Sequence, residues 1–132
     1  MSGAFYPVDP ALIAAFDQSG KANLGHVLET TVLIDLERRR CQVGYVLTPG
    51  GFEVDFLATE PEGRRTLIQV AADLSDKATR EREFRTLTDA LPSLRRVPAL
   101  LLTLTSDDVR AAQAEAPARV TVRTAWEWML EA

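Results

Sequence analysis

Phe52-Glu53-Val54-Asp55-Phe56-Leu57-Ala58-Thr59, then the turn Pro61-Glu62-Gly63, then Arg65-Thr66-Leu67-Ile68-Gln69-Val70-Ala71-Ala72: this stretch decides the fold. Two runs rich in branched and aromatic residues, joined by a proline-glycine turn, read as neighbouring strands. Polar residues interrupt both runs at one level, Asp55 in the first and Gln69 in the second. Strict alternation places Glu53, Asp55 and Leu57 on one face, and Leu67, Gln69 and Ala71 on one face of the next strand.

Working outward, Gln42 to Leu47 predicts a preceding strand, closed by the tight turn Pro49-Gly50-Gly51. Before it, Leu24, Leu28, Thr31, Val32 and Asp35 recur at helical spacing, so a long helix is expected from about Leu24 to Arg40 with Asn23 as its cap. Residues 1–22 read as an arm and a short helix, with Asp9 as N-cap and Pro10 at the first helical position. A polar loop from Asp17 to Ala22 separates the two helices. After the three strands, Lys77 to Leu91 predicts an amphipathic helix capped by Ser75 or Asp76. Pro98 to Thr105 is continuously apolar, as a strand covered on both faces would be. Residues 106–132 add a small helix-strand-helix extension: Ser106 to Ala116, Val120 to Arg123, and a turn through Trp126, Trp128 and Met129. The expected architecture is therefore one α/β domain over residues 1–132, with a core of helix, three strands, helix and strand.

Glu29 sits at the margin of the apolar stripe of the long helix, one step from Leu28. A helical acid, a strand Asp and an acid-x-Lys strand together make the skeleton of a metal-dependent phosphodiesterase site. Carboxylates hold a hard divalent cation, and a lysine stabilises the charge that builds on phosphate. Two positions depart from that skeleton. Gln69 stands where a second acid would bind best, and Ala71 stands where the lysine belongs. Losing a charge-stabilising group at such a site commonly lowers the rate by about 10²-fold or more. The only lysines, Lys21 and Lys77, occupy no obvious replacement position.

The stretches Asn23-Leu24-Gly25-His26-Val27-Leu28-Glu29 and Asp35-Leu36-Glu37-Arg38-Arg39 carry a family likeness. So do Gly44-Tyr45, Glu53-Val54-Asp55-Phe56, Leu67-Ile68-Gln69-Val70, Asp73-Leu74-Ser75-Asp76 and Thr79-Arg80-Glu81-Arg82-Glu83. From about residue 5 to 105 the chain resembles the domain of unknown function found C-terminal to bacterial and archaeal AAA-type ATPases. The resemblance implies a restriction-endonuclease-like fold of the PD-(D/E)XK superfamily. It maps Glu29 to the helical acid, Asp55 to the strand acid and Gln69 to the second acid or its amide substitute. It also implies Mg²⁺ or Mn²⁺ held by Glu29, Asp55 and Gln69 if the site is active. Arg80 and Arg82 are then the candidates for phosphate contacts. With Ala71 at the lysine position, the expected role is a degenerate nuclease-like domain that docks nucleic acid or protein. The alternative is a metal-dependent nuclease.

An ATPase module would be the expected partner, and this chain does not supply it: Gly20-Lys21-Ala22 lacks the glycine spacing and the Ser or Thr of a phosphate loop. No nucleotide cofactor is expected here. The net charge of −4 gives no general attraction to nucleic acid, although arginines cluster at 38–40, 64–65, 80–85 and 95–96. No apolar run approaches the ~20 residues of a membrane helix. One cysteine, Cys41, and one histidine, His26, leave oxygen as the metal ligand and suit a reducing cytoplasm.

Simpler roles stand beside these. Arg38 to Arg40 complement a helix dipole, and the alternating Arg80 to Arg85 segment suits a solvated helix face. Gln69 suits a core amide bonded to Glu29 or to backbone, and His26 a cap, packing residue or proton relay. Cys41 suits a small buried residue, and Trp126 and Trp128 suit anchors for the last helix.

Overall fold

The computed structural model describes residues 10–131. Five strands form one sheet in the order of the chain: β1 (Gln42–Leu47), β2 (Glu53–Thr59), β3 (Arg65–Val70), β4 (Ala99–Thr103) and β5 (Val120–Thr124). The first three make an antiparallel meander, and β4 and β5 run parallel to β3. Tight turns serve the meander. Parallel neighbours need helical crossovers, and α2 (Lys77–Ala90) and α3 (Ser106–Gln113) provide them. The long α1 (Pro10–Arg38) precedes the sheet and α4 (Ala125–Leu130) follows it.

Helices cover both faces. Phe84 and Leu87 of α2 and Ala112 of α3 pack with Val54, Leu67 and Leu101 on one side. Leu28, Val32 and Leu36 of α1 and Trp128 of α4 pack with Phe56, Ile68 and Leu102 on the other. Leu101 and Leu102 thus bury opposite faces of β4, as its unbroken apolar run predicts. Among the described residues no helix is long and apolar enough to cross a membrane.

Local chemistry sets the ends of these elements. Asp76 caps α2 by accepting from the Thr79 N–H at 3.1 Å, and Thr105 caps α3 by accepting from Asp108 at 3.1 Å. In the β1–β2 turn the Gly50 N–H donates to Asp89 Oδ2 at 2.7 Å. A Cβ on Gly50 would lie 2.6 Å from that oxygen, so only glycine fits unless Asp89 moves.

Two expectations change. α1 is one helix of 29 residues, continuous through Asp17 to Ala22 where the composition predicts a loop. Polar residues and one glycine cost at most ~1 kcal/mol each in a helix, whereas stopping and restarting requires a second unfavourable nucleus. Asn23 accordingly lies inside the helix, while Asp9 and the arm before it fall outside the described residues. The second change is that β5 joins the main sheet, pairing Val122 with Leu101, so residues 106–131 extend the core instead of lying beside it.

The arginine triplet does more than complement a dipole. Arg39 donates to Asp35 Oδ2 at 2.8 Å and to the Trp128 carbonyl at 2.7 Å, and its guanidinium lies 4.1 Å from the centre of the Trp128 ring. It therefore ties α1 to α4 and neutralises Asp35, which is only 4% exposed. Trp128 is the anchor; Trp126 is 52% exposed. Arg40 ends the helix in the left-handed region at φ 62°. Its N–H donates to the Glu37 carbonyl at 3.0 Å, and Cys41 N–H donates to Leu36 at 3.1 Å. This is a Schellman ending with arginine where glycine is favoured. Arg40→Gly is expected to raise stability by about 1 kcal/mol, read as a higher urea midpoint with an unchanged slope.

Candidate functional site at the β2–β3 clasp

β2 carries one residue more than β1 between two paired levels: Gly44 faces Leu57, but Val46 faces Val54. The bulge turns the strand. Val54 and Leu57 pack on the α2 side, while Phe56 and Ala58 pack on the α1 side. The uniform alternation expected from the sequence fails at this point, because one inserted residue exchanges faces beyond it. Asp55 sits within this irregularity.

Towards β3, backbone pairing runs from Thr59 opposite Arg65 to Phe56 opposite Ile68. Two side chains then take over from the ladder. The Asp55 N–H donates to Gln69 Oε1 at 2.9 Å, and the Val70 N–H donates to Asp55 Oδ2 at 2.9 Å. Each side chain satisfies the other strand's backbone, which would otherwise be left with a costly unpaired donor. The rest of the Gln69 amide is also engaged: Nε2 donates to Glu83 Oε1 on α2 at 2.8 Å. Gln69 is 8% exposed and carries both bonds in the core. Of the two bonding partners expected for it, backbone is realised; its acidic partner is Glu83.

The charges around the clasp are crowded. Burial raises the Asp55 carboxyl to about 7; the bond from Val70 opposes that shift, and Glu29, Glu83 and Glu53 add to it. Burial also raises Glu83, offset by the bond from Gln69 and by Arg82, with Glu29 pushing it further up. Arg82 Nη2 lies 3.9 Å from Glu83 Oε2 with most of its side chain in solvent. The cluster is thus an acidic site with a carboxyl that carries a proton for part of the time at neutral pH.

The predicted residues divide clearly. Asp55 and Gln69 meet. Glu29 is half-buried on α1 and acts on Asp55 through its charge, with no hydrogen bond to it. Ala71 offers only backbone, its N–H donating to Leu102 at 2.9 Å. Arg80 is engaged elsewhere, paired with Glu115 at 3.1 Å and donating to the Leu74 carbonyl at 2.9 Å. His26 is exposed in the middle of α1, neither cap nor packing residue. Cys41 is half-buried, and burial pushes its thiol up. Glu83 is the participant that the sequence reading passes over, since Arg-Glu-Arg-Glu suggests solvent. Its neighbour Phe84, which opens the buried stripe with Leu87, was the available signal.

Two of the oxygens that would face a cation are already in use. Gln69 Oε1 and Asp55 Oδ2 already serve backbone donors. Among the described residues no three His, Cys, Asp or Glu side chains stand close enough to share an ion.

The folded state holds the Asp55 proton more tightly than the unfolded chain, so the associated stability is present below about pH 4 and is lost as pH rises through about 7. Asp55→Asn keeps an acceptor for Val70 and removes the charge. It is expected to match the wild type near pH 4.5 and exceed it by about 2 kcal/mol at pH 8, a figure reduced for partial exposure. Asp55→Ala orphans the Val70 N–H and is expected to lose about 1–3 kcal/mol at pH 4.5. Urea unfolding at the two pH values checks both.

Compared with protein-family models, curated proteins and solved structures, the chain finds no match.

Proposed function

We propose that this protein is a non-cleaving, restriction-endonuclease-like domain that docks nucleic acid, partnered by an AAA-type ATPase that the chain does not contain. One observation carries the reading. Two oxygens that a nuclease of this type would turn towards a cation, Gln69 Oε1 and Asp55 Oδ2, instead join two strands, and the Gln69 amide nitrogen is held by Glu83 on α2. The absence of a lysine at Ala71 supports it. The element order of helix, three strands, helix and strand is that of the superfamily the sequence resembles, and both faces of its sheet are covered.

The alternative, a nuclease using Mg²⁺ or Mn²⁺ with Glu29, Asp55 and Gln69, rests on one feature. Glu29, Glu53 and Glu83 all raise Asp55, and a divalent cation would relieve that repulsion. The engagement of Gln69 Oε1 and Asp55 Oδ2 by backbone donors argues against it. A cytoplasmic setting is proposed on the single cysteine alone.

Calorimetric titration of Mn²⁺ at pH 8, into wild type and Asp55→Ala, separates the two. The docking reading expects no saturable heat from either protein. A stoichiometric heat in wild type that disappears in the variant would establish the metal site and favour cleavage.

A further inference from the structure

Because β3, β4 and β5 are parallel and in register, the segments entering them lie side by side. Leu67 stands opposite Ala99, and Ala99 opposite Val120. Arg65 therefore starts β3 at the same end of the sheet as Arg95 and Arg96, which lead into β4, and Arg119, which leads into β5 one strand further on. The meander adds to the same end. Gln42 pairs with Thr59 and Thr59 with Arg65, so Arg40 at the end of α1 and Arg64 in the β2–β3 turn join the row. With strands about 4.8 Å apart, the row from β1 to β5 spans roughly 19 Å.

Most of this charge is uncommitted. Arg40, Arg65, Arg95 and Arg96 are exposed and form no ion pair among the described residues. Glu60 occupies Arg64 at 2.8 Å, and Glu62 is the other acid in that turn. Arg119 has a different task. Its guanidinium donates to the carbonyls of Leu91, Leu94 and Val97 at 3.2, 2.6 and 2.8 Å. It thereby holds the loop that presents Arg95 and Arg96.

Backbone conformation singles out two members of the row. Among the described residues, Arg40 and Arg96 are the non-glycine positions with positive φ, at 62° and 63°. Both positions favour glycine sterically. Both carry exposed arginines without an ion-pair partner, at the same end of the sheet. Strain of this kind marks positions where the side chain serves something other than stability.

From this arrangement we infer that the basic end of the sheet binds the phosphate backbone of double-stranded nucleic acid, four residues or about 13 Å along β3 from Gln69. This rests on the docking reading above and specifies its surface. Arginine forks suit phosphate oxygens. A row of roughly 19 Å matches a repeating linear anion better than a single ion, and duplex DNA carries a phosphate on each strand about every 3.4 Å of its axis. The net charge of −4 is no obstacle, because Asp73, Asp76, Asp107 and Asp108 follow the opposite ends of β3 and β4. The charge is polarised along the strands, and a duplex meets the positive end.

The test is fluorescence anisotropy of a labelled DNA duplex with the full chain, across a salt series. Wild type is expected to bind in the micromolar range. Arg40→Gly/Arg96→Gly is expected to unfold at higher urea yet bind at least tenfold more weakly, with the slope of log K against log salt reduced by about 2. Arg110→Ala, at the acidic end, should bind as wild type does. If the double variant binds with wild-type affinity and slope, the surface is wrong while the docking reading stands. If wild type does not bind the duplex, both fall. Displacement by polyglutamate at equal charge concentration would overturn the nucleic-acid assignment in favour of an acidic protein.

Discussion

The exchange of hydrogen bonds between Asp55 and Gln69 is the constraint on which the rest of the site depends. Where β2 bulges away from β1 and stops pairing with β3, these two side chains complete the ladder. That use fixes their orientations. A carboxylate that must accept from Val70 N–H and an amide that must bridge Asp55 N–H to Glu83 have little freedom to reorganise around a ligand. The local dielectric makes the bonds strong and makes an unpaired group expensive. Burial and neighbouring acids lift Asp55 to about 7, so a proton is available to do part of what a cation would otherwise do.

Much of this was legible in the sequence. The limits of β1 match residue for residue, and those of β2 and β3 lie within two residues, because glycine and proline punctuate short apolar runs unambiguously. The pairing of Asp55 with Gln69 followed from their level on adjacent strands. What was not legible depends on tertiary context. The bulge in β2 leaves no mark, since Val54, Phe56, Leu57 and Ala58 are all apolar and either register buries them. The continuity of α1 through Ser19 and Gly20 is decided by cooperativity, which a local reading undervalues. Glu83 looked solvated because its sequence neighbours are charged. It is drawn inward by Phe84 next to it and by the amide that needs a partner. Arg39 looked like dipole compensation, and its stacking on Trp128 connects residues 89 positions apart.

A division of labour along the strands emerges from the topology. One end of the sheet gathers the clasp and the acidic loops. The other gathers arginines, two of them held in a backbone conformation that glycine would occupy more comfortably. Neither property is visible in a net charge, which averages over both ends. Under the proposed docking role, anion recognition lies away from the clasp, which persists as structure. The departures at Gln69 and Ala71 fit this division, because Gln69 serves backbone and Glu83 while Ala71 offers only its N–H.

The most direct measurement is a carbon-13 NMR titration of the Asp55 carboxyl, run with and without millimolar Mg²⁺. A structural clasp predicts a midpoint near 7 that Mg²⁺ leaves unchanged, because the carboxylate keeps its bond to Val70 N–H. A midpoint that falls by a unit or more when Mg²⁺ is added would show Asp55 turning to the cation, and would contradict the account.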